Sequence, residues 1–151
     1  MTSEVTLYYA PDNASLCVRL ALLELGIPFE TVLVDRASQM QRAPAYLALN
    51  PNGMIPTLLT PSGAIYETGA ILLWLAQHSK DGFMPAQLLH GSALTWLFWL
   101  SNTLHPALRM WFYPEKYAPA EAVPALCDTT QRRLLGRFAH LEAHARWLDD
   151  S

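Results

Sequence analysis

The stretch Asn50–Ala76, NPNGMIPTLLTPSGAIYETGAILLWLA, constrains this chain more than any other. It opens with two X-Pro bonds, Asn50-Pro51 and Ile55-Pro56, separated by Gly53. Two short β-type runs follow, Thr57–Thr60 and Ala64–Glu67, joined by Pro61-Ser62-Gly63, so they predict a hairpin. Glu67-Thr68 then stands at the foot of an apolar helix, Thr68–His78. Taken singly, Pro56 reads as a plain loop proline and Thr68 as a plain helix cap. Their order behind the elements upstream is what gives them weight.

Those elements alternate. Glu4–Tyr9 (EVTLYY) is a short strand closed by the turn signal Ala10-Pro11-Asp12-Asn13. From Ser15 the spacing becomes helical, with Leu16, Leu20 and Leu23 on one stripe, and Gly26 and Pro28 stop the helix. Phe29–Val34 (FETVLV) is a second strand, and Gln39–Leu49 reads as a short helix. The order is β-α-β-α-β-β-α. A strand–helix–strand unit is parallel and right-handed while the final hairpin is antiparallel, so the sheet is mixed and four-stranded. This defines an α/β domain over residues 1–79.

Beyond the linker Lys80–Pro85 (KDGFMP) the pattern is purely helical, giving a partial all-α domain over 86–151. Leu89, Ala93, Trp96 or Leu97, Leu100, Leu104, Leu108 and Trp111 keep a 3–4 spacing, with Pro106 predicted to kink the run. Ala122–Leu148 forms a second long helix with Val123, Leu126, Thr130, Leu134, Phe138, Leu141, Ala145 and Leu148 on one stripe.

Composition narrows the function classes. The net charge is −3 and no Lys/Arg run exceeds two residues, which argues against a nucleic-acid partner. The apolar runs are too short to span a bilayer, and the start, Met-Thr-Ser-Glu, is not a signal peptide. Cys17 and Cys127 stand far apart without a metal or redox motif, which points to a reduced, cytoplasmic compartment and no metal.

The unit resembles the glutathione transferase superfamily, whose first domain is thioredoxin-like. NPNGMIPTL is similar to that family's Asn-Pro-x-Gly-x-(Val/Ile)-Pro-x-Leu motif, and ETGAI to its Glu-Ser-x-Ala-Ile motif. WLFWLSNTLHPALRMWFYP resembles the first long helix of bacterial beta-class members. The resemblance implies a cytoplasmic, homodimeric detoxification enzyme that conjugates glutathione, its substrate, to an electrophilic apolar small molecule. A prolyl bond adopts cis at a cost of only about 0.5–1 kcal/mol. A cis Pro56 leaves the Ile55 N–H and C=O facing outward, where the extended tripeptide could pair with them as an added strand. Glu67 could accept from the γ-glutamyl ammonium, and Thr68 at a helix start could receive its carboxylate.

In this family the group that handles sulfur lies after strand one or at the start of helix one. Ala14 stands where the beta-class pattern has Cys, so the resemblance implies a hydroxyl or amide donor instead of a protein thiol. Ser15 ranks first, ahead of Tyr8 and Asn13. Cys17 reads as a core cysteine. His105, which precedes Pro106, is expected to face the sulfur, and His105, Arg109 and Trp111 are candidates to line the electrophile pocket. Family members carry further C-terminal helices, so the helical domain reads as truncated, with a homodimer expected across helix Thr68–His78 and the first long helix. The alternative function is a non-catalytic binding or interaction module of the same fold.

Overall fold

The computed structural model describes residues 5–78 and 91–144. Glu4, the Lys80–Pro85 linker, Leu89, Ala145 and Leu148 lie outside the described residues. The chain divides into two compact units after Ala93.

The first unit runs β1 (Val5–Tyr9), α1 (Ser15–Glu24), β2 (Phe29–Leu33), α2 (Pro44–Leu47), β3 (Thr57–Thr60), β4 (Gly63–Tyr66) and α3 (Thr68–His78). The sheet order is β2-β1-β3-β4. β1 and β2 are parallel, while β3 is antiparallel to both β1 and β4. This is the mixed sheet and element order that the sequence predicts. Its core lies on one face, where Val5, Leu7 and Leu58 meet Val18, Ala21 and Leu22 of α1 and Ile71 and Leu75 of α3. Alternation along β1 turns Tyr8 to the other face, where its ring packs edge-on against Tyr46 of α2 at 5.9 Å.

Helix α1 ends as expected. Gly26 adopts φ +59°, and the N–H groups of Gly26 and Ile27 donate to the carbonyls of Leu23 and Leu22. That pairing is a Schellman C-cap, for which glycine is the natural residue.

Four expectations need correction. The α1 stripe is inverted: Leu16, Leu20 and Leu23 are 57–59% exposed, while Val18 and Leu22 are fully buried. Both faces of α1 are apolar, and the slimmer Val18 and Ala21 allow the closer approach to the sheet. Cys17 lies on the outer face and is exposed, not in the core. The helix expected over Gln39–Leu49 is broken into a 3-10 turn, Met40–Arg42, and the single turn α2, because Pro44 forces Ala43 into the extended region at ψ 143°. Finally, β4 stops at Tyr66, since Glu67 is left-handed at φ +70° and cannot continue a strand.

The second unit contains α4 (Ser92–Trp99), α5 (His105–Phe112) and α6 (Val123–His144). Between α4 and α5, Leu100–Leu104 forms a π turn in which the His105 N–H donates to the Leu100 carbonyl. The wider turn carries the chain past Pro106, whose ring would otherwise meet the carbonyl four residues back. The extra residue also shifts the stripe: Leu100 is exposed, while Leu104 and Ala107 pack with Leu134 of α6, flanked by Trp99 and Leu108.

Candidate functional site

Thr57 pairs with Tyr8 on one side and with Tyr66 on the other. This register brings three segments to one end of the sheet. Tyr9 and Ala10 leave β1 beside Pro56 and Ile55, and Glu67-Thr68 leaves β4 on the opposite side of them. The Ile55–Pro56 peptide is cis. Ile55 is half-buried and its backbone has no hydrogen-bond partner among the described residues.

The loop ahead of Pro56 is held from below. Asn50 is 1% exposed and donates from Nδ2 to the Met54 carbonyl at 2.8 Å and to Thr57 Oγ1 at 3.3 Å. Its Oδ1 accepts the Asn52 N–H at 3.1 Å. The Tyr46 hydroxyl donates to the same Met54 carbonyl at 2.6 Å and lies 3.0 Å from Thr57 Oγ1. Burial lifts the Tyr46 phenol above its ordinary range, so it remains a donor at neutral pH. Gly53 sits at φ +60°, and a Cβ there would stand 2.8 Å from the Gln41 carbonyl. Sequence reasoning passed over Tyr46 and Asn50 as site supports. Asn50 was visible as the first residue of the NPNG motif, whereas nothing in the sequence pairs Tyr46 with Met54.

Glu67 is exposed at φ +70°, and its carbonyl accepts the Ile71 N–H at 3.0 Å. Glu67 is therefore the cap, and Thr68 is the first helical residue, not the N-cap that the sequence suggested. The first-turn N–H groups of Thr68, Gly69 and Ala70 precede that bond, as at any helix start. A left-handed non-glycine residue costs about 1–3 kcal/mol and concentrates at functional sites.

The β1–α1 loop carries the candidates for handling an incoming group. Ser15 is 2% exposed. Its hydroxyl lies 2.5 Å from Asn13 Oδ1 and 3.0 Å from the Ala10 carbonyl, and it accepts the Ala10 N–H at 3.3 Å. The Ser15 N–H donates to Asn13 Oδ1 at 2.8 Å. Tyr8 lies on the other face of the sheet, against Tyr46. Cys17 borders a groove with Leu20, Ala21, Leu23, Glu24 and Leu72. Desolvation there lifts its thiol above the ordinary range, against weaker lowering by backbone hydrogen bonds.

His105, Arg109 and Trp111 belong to the second unit, on α5. His105 opens the helix and is exposed, Arg109 follows one turn later, and Trp111 packs edge-on against Phe112 at 5.0 Å. The rings of Trp96 and Trp99 of α4 lie tilted against His140 of α6, with centroids 5.8 and 5.4 Å away. Among the described residues, no group of three or more His, Cys, Asp or Glu is placed to hold a metal ion. No described helix is long and apolar enough to cross a membrane.

Residues 14–78 match the family model for the glutathione S-transferase N-terminal domain. Glutathione S-transferase F9 of Arabidopsis thaliana is 30% identical over 146 residues, which cover 90% of this chain and 67% of that protein. The disulfide-bond oxidoreductase YfcG of Escherichia coli K12 is 31% identical over 111 residues, 69% of this chain and 52% of that protein. The glutathione transferase URE2P6 of Phanerochaete chrysosporium, solved with oxidised glutathione, superposes with a TM-score of 0.81 at 25% identity, covering 94% of this chain and 68% of that one. The chain spans about half to two thirds of the length of several curated relatives it matches.

Proposed function

The chain belongs to the glutathione transferase superfamily, and from that premise we propose that it binds glutathione at the sheet end formed by Ile55-Pro56 and Glu67-Thr68 and activates the thiol for transfer to an electrophilic apolar small molecule. The observation that carries this reading is the double pairing of Thr57, which draws the three loops together. The cysteinyl backbone of the ligand pairs with the N–H and C=O of Ile55, as an added strand does. The γ-glutamyl ammonium meets the Glu67 carboxylate. Its carboxylate meets the Thr68 hydroxyl and the N–H groups at the start of α3, where the helix dipole favours an anion.

A thiol with a pKa near 8.5 is mostly protonated at neutral pH, so a donor aimed at the sulfur enlarges the nucleophilic fraction. Ser15, Tyr8 and Asn13 of the first unit are the candidate donors. His105, Arg109 and Trp111 are the candidate residues of the second unit for contact with the electrophile. The protein works in the cytoplasm as a homodimer, joined across α3 and the first long helix, in a detoxifying role. The test is retention on glutathione resin followed by a chromogenic conjugation assay with an aryl halide. Retention with glutathione-dependent turnover supports the proposal, and failure to bind ends it. Ala14 and the enclosed Ser15 hydroxyl favour a second reading, a non-catalytic glutathione-binding module. Retention without turnover selects it.

A further inference from the structure

We propose that His140 and His144 of α6 form a binding site for a divalent transition-metal ion of the kind that imidazole favours, Cu2+, Ni2+ or Zn2+. The two residues stand four apart on the helix and both are exposed, so their rings leave it on one open face. The rings are already together, with centroids 4.3 Å apart and planes 27° from parallel. The pair belongs to the second unit and takes no part in the glutathione reading.

The hydrogen bonding of His144 prepares it as a ligand. Its Nδ1 lies 2.9 Å from the His140 carbonyl, an atom that can only accept. Nδ1 therefore carries the proton, and the lone pair stands on Nε2, the outer nitrogen. A backbone carbonyl that takes one ring N–H in this way fixes the tautomer and orientation of a metal-binding histidine and raises its basicity as a ligand. His140 is held by ring packing instead, with Trp96 and Trp99 of α4 tilted against it and His144 stacked on it. Among the described residues neither of its ring nitrogens has a hydrogen-bond partner, so a lone pair is available there too. An ion held at about 2.0–2.1 Å from each imidazole needs the two nitrogens roughly 3 Å apart. Two exposed rings reach that separation by side-chain rotation alone. Histidines at this spacing on a helix share one metal ion in the same way elsewhere. Two donors leave the remaining coordination positions to water, so the site is open. His78 supplies the contrast. Its Nδ1 lies 2.9 Å from the Trp74 carbonyl and its ring stacks on Trp74 at 4.1 Å, but no second imidazole stands beside it among the described residues.

The experiment titrates Ni2+ into the whole chain in the absence of glutathione, and compares wild type with His140→Gln, His144→Gln and His78→Gln. Ni2+ is chosen because it does not oxidise the free thiols of Cys17 and Cys127. Binding is read from quenching of tryptophan fluorescence, since Trp96 and Trp99 lie beside His140, and from the midpoint of thermal unfolding. The expected result is saturable binding of one Ni2+ per chain that weakens by about tenfold or more in His140→Gln and in His144→Gln, and is unchanged in His78→Gln. An ion that bridges two turns of the folded helix stabilises it, so Ni2+ raises the midpoint of wild type and of His78→Gln but not of the two pair variants. His140→Gln also disturbs the packing against Trp96 and Trp99, so His144→Gln, whose ring stacks on His140, carries the test if the first variant is unstable. Ni2+ affinity that survives either pair substitution, an equal loss in His78→Gln, or no saturable binding to wild type overturns the site.

Discussion

Gly53 and Tyr46 show at the scale of single residues why the loop ahead of Pro56 has its shape. A side chain at Gly53 would need the left-handed region and would collide with the Gln41 carbonyl. Gly53→Ala should therefore destabilise the first unit by about 1–3 kcal/mol, read from the denaturant midpoint. Tyr46→Phe removes a donor from the Met54 carbonyl and should lower stability by about 0.5–1.5 kcal/mol. The pH dependence of this contribution has a definite sign. The folded-state pKa of Tyr46 is raised, so its stabilisation is fully present below the ordinary tyrosine value near 10 and is lost as pH rises from there through the folded value. Wild type should lose more stability than Tyr46→Phe above that pH, and equal losses would count against the assignment. Cys17 is the residue where expectation and structure part furthest. Its raised thiol pKa leaves little thiolate at neutral pH, so turnover should survive Cys17→Ala. A stoichiometric mixed disulfide on Cys17 after incubation with oxidised glutathione, together with lost turnover in Cys17→Ala, would restore a cysteine mechanism.

The elements divide into those whose signal was local and those decided by packing. Strands β1 to β3, the C-cap at Gly26 and helix α3 were legible because alternation, glycine and apolar spacing each act within a few residues. The two motifs of the candidate site were legible for the same reason: NPNG and Glu67-Thr68 are each a contiguous run, and the sheet order then follows from chirality. The inward face of α1 was not legible, because Leu16, Leu20 and Leu23 form as good a stripe as Val18, Ala21 and Leu22, and only contact with the sheet chooses between them. Leu22→Ala should cost about 2–5 kcal/mol, while Leu20→Ser should stay within about 0.5 kcal/mol. Comparable losses in thermal denaturation would mean that the outer stripe is covered. Nor was the π turn legible, since Pro106 signals a disturbance without saying whether the helix kinks or widens. The enclosure of the Ser15 hydroxyl was hidden too, because burial of a hydroxyl depends on the whole loop.

At the scale of the whole molecule, several large apolar side chains lie on the described surface. Phe98, Phe112 and Leu135 of the helical unit are 58–63% exposed, and surface of this kind favours association of copies. Sedimentation at micromolar concentration should return a homodimer, and a monomer would count against the proposed pairing. The central claim concerns the ligand, and calorimetric titration of glutathione into wild type and Glu67→Ala tests it most directly. A hydrogen bond to a charged group contributes about 1.5–3 kcal/mol, so the account predicts saturable binding to wild type that weakens roughly tenfold to a hundredfold in the variant. Undiminished affinity in Glu67→Ala, or no binding to wild type, would contradict it.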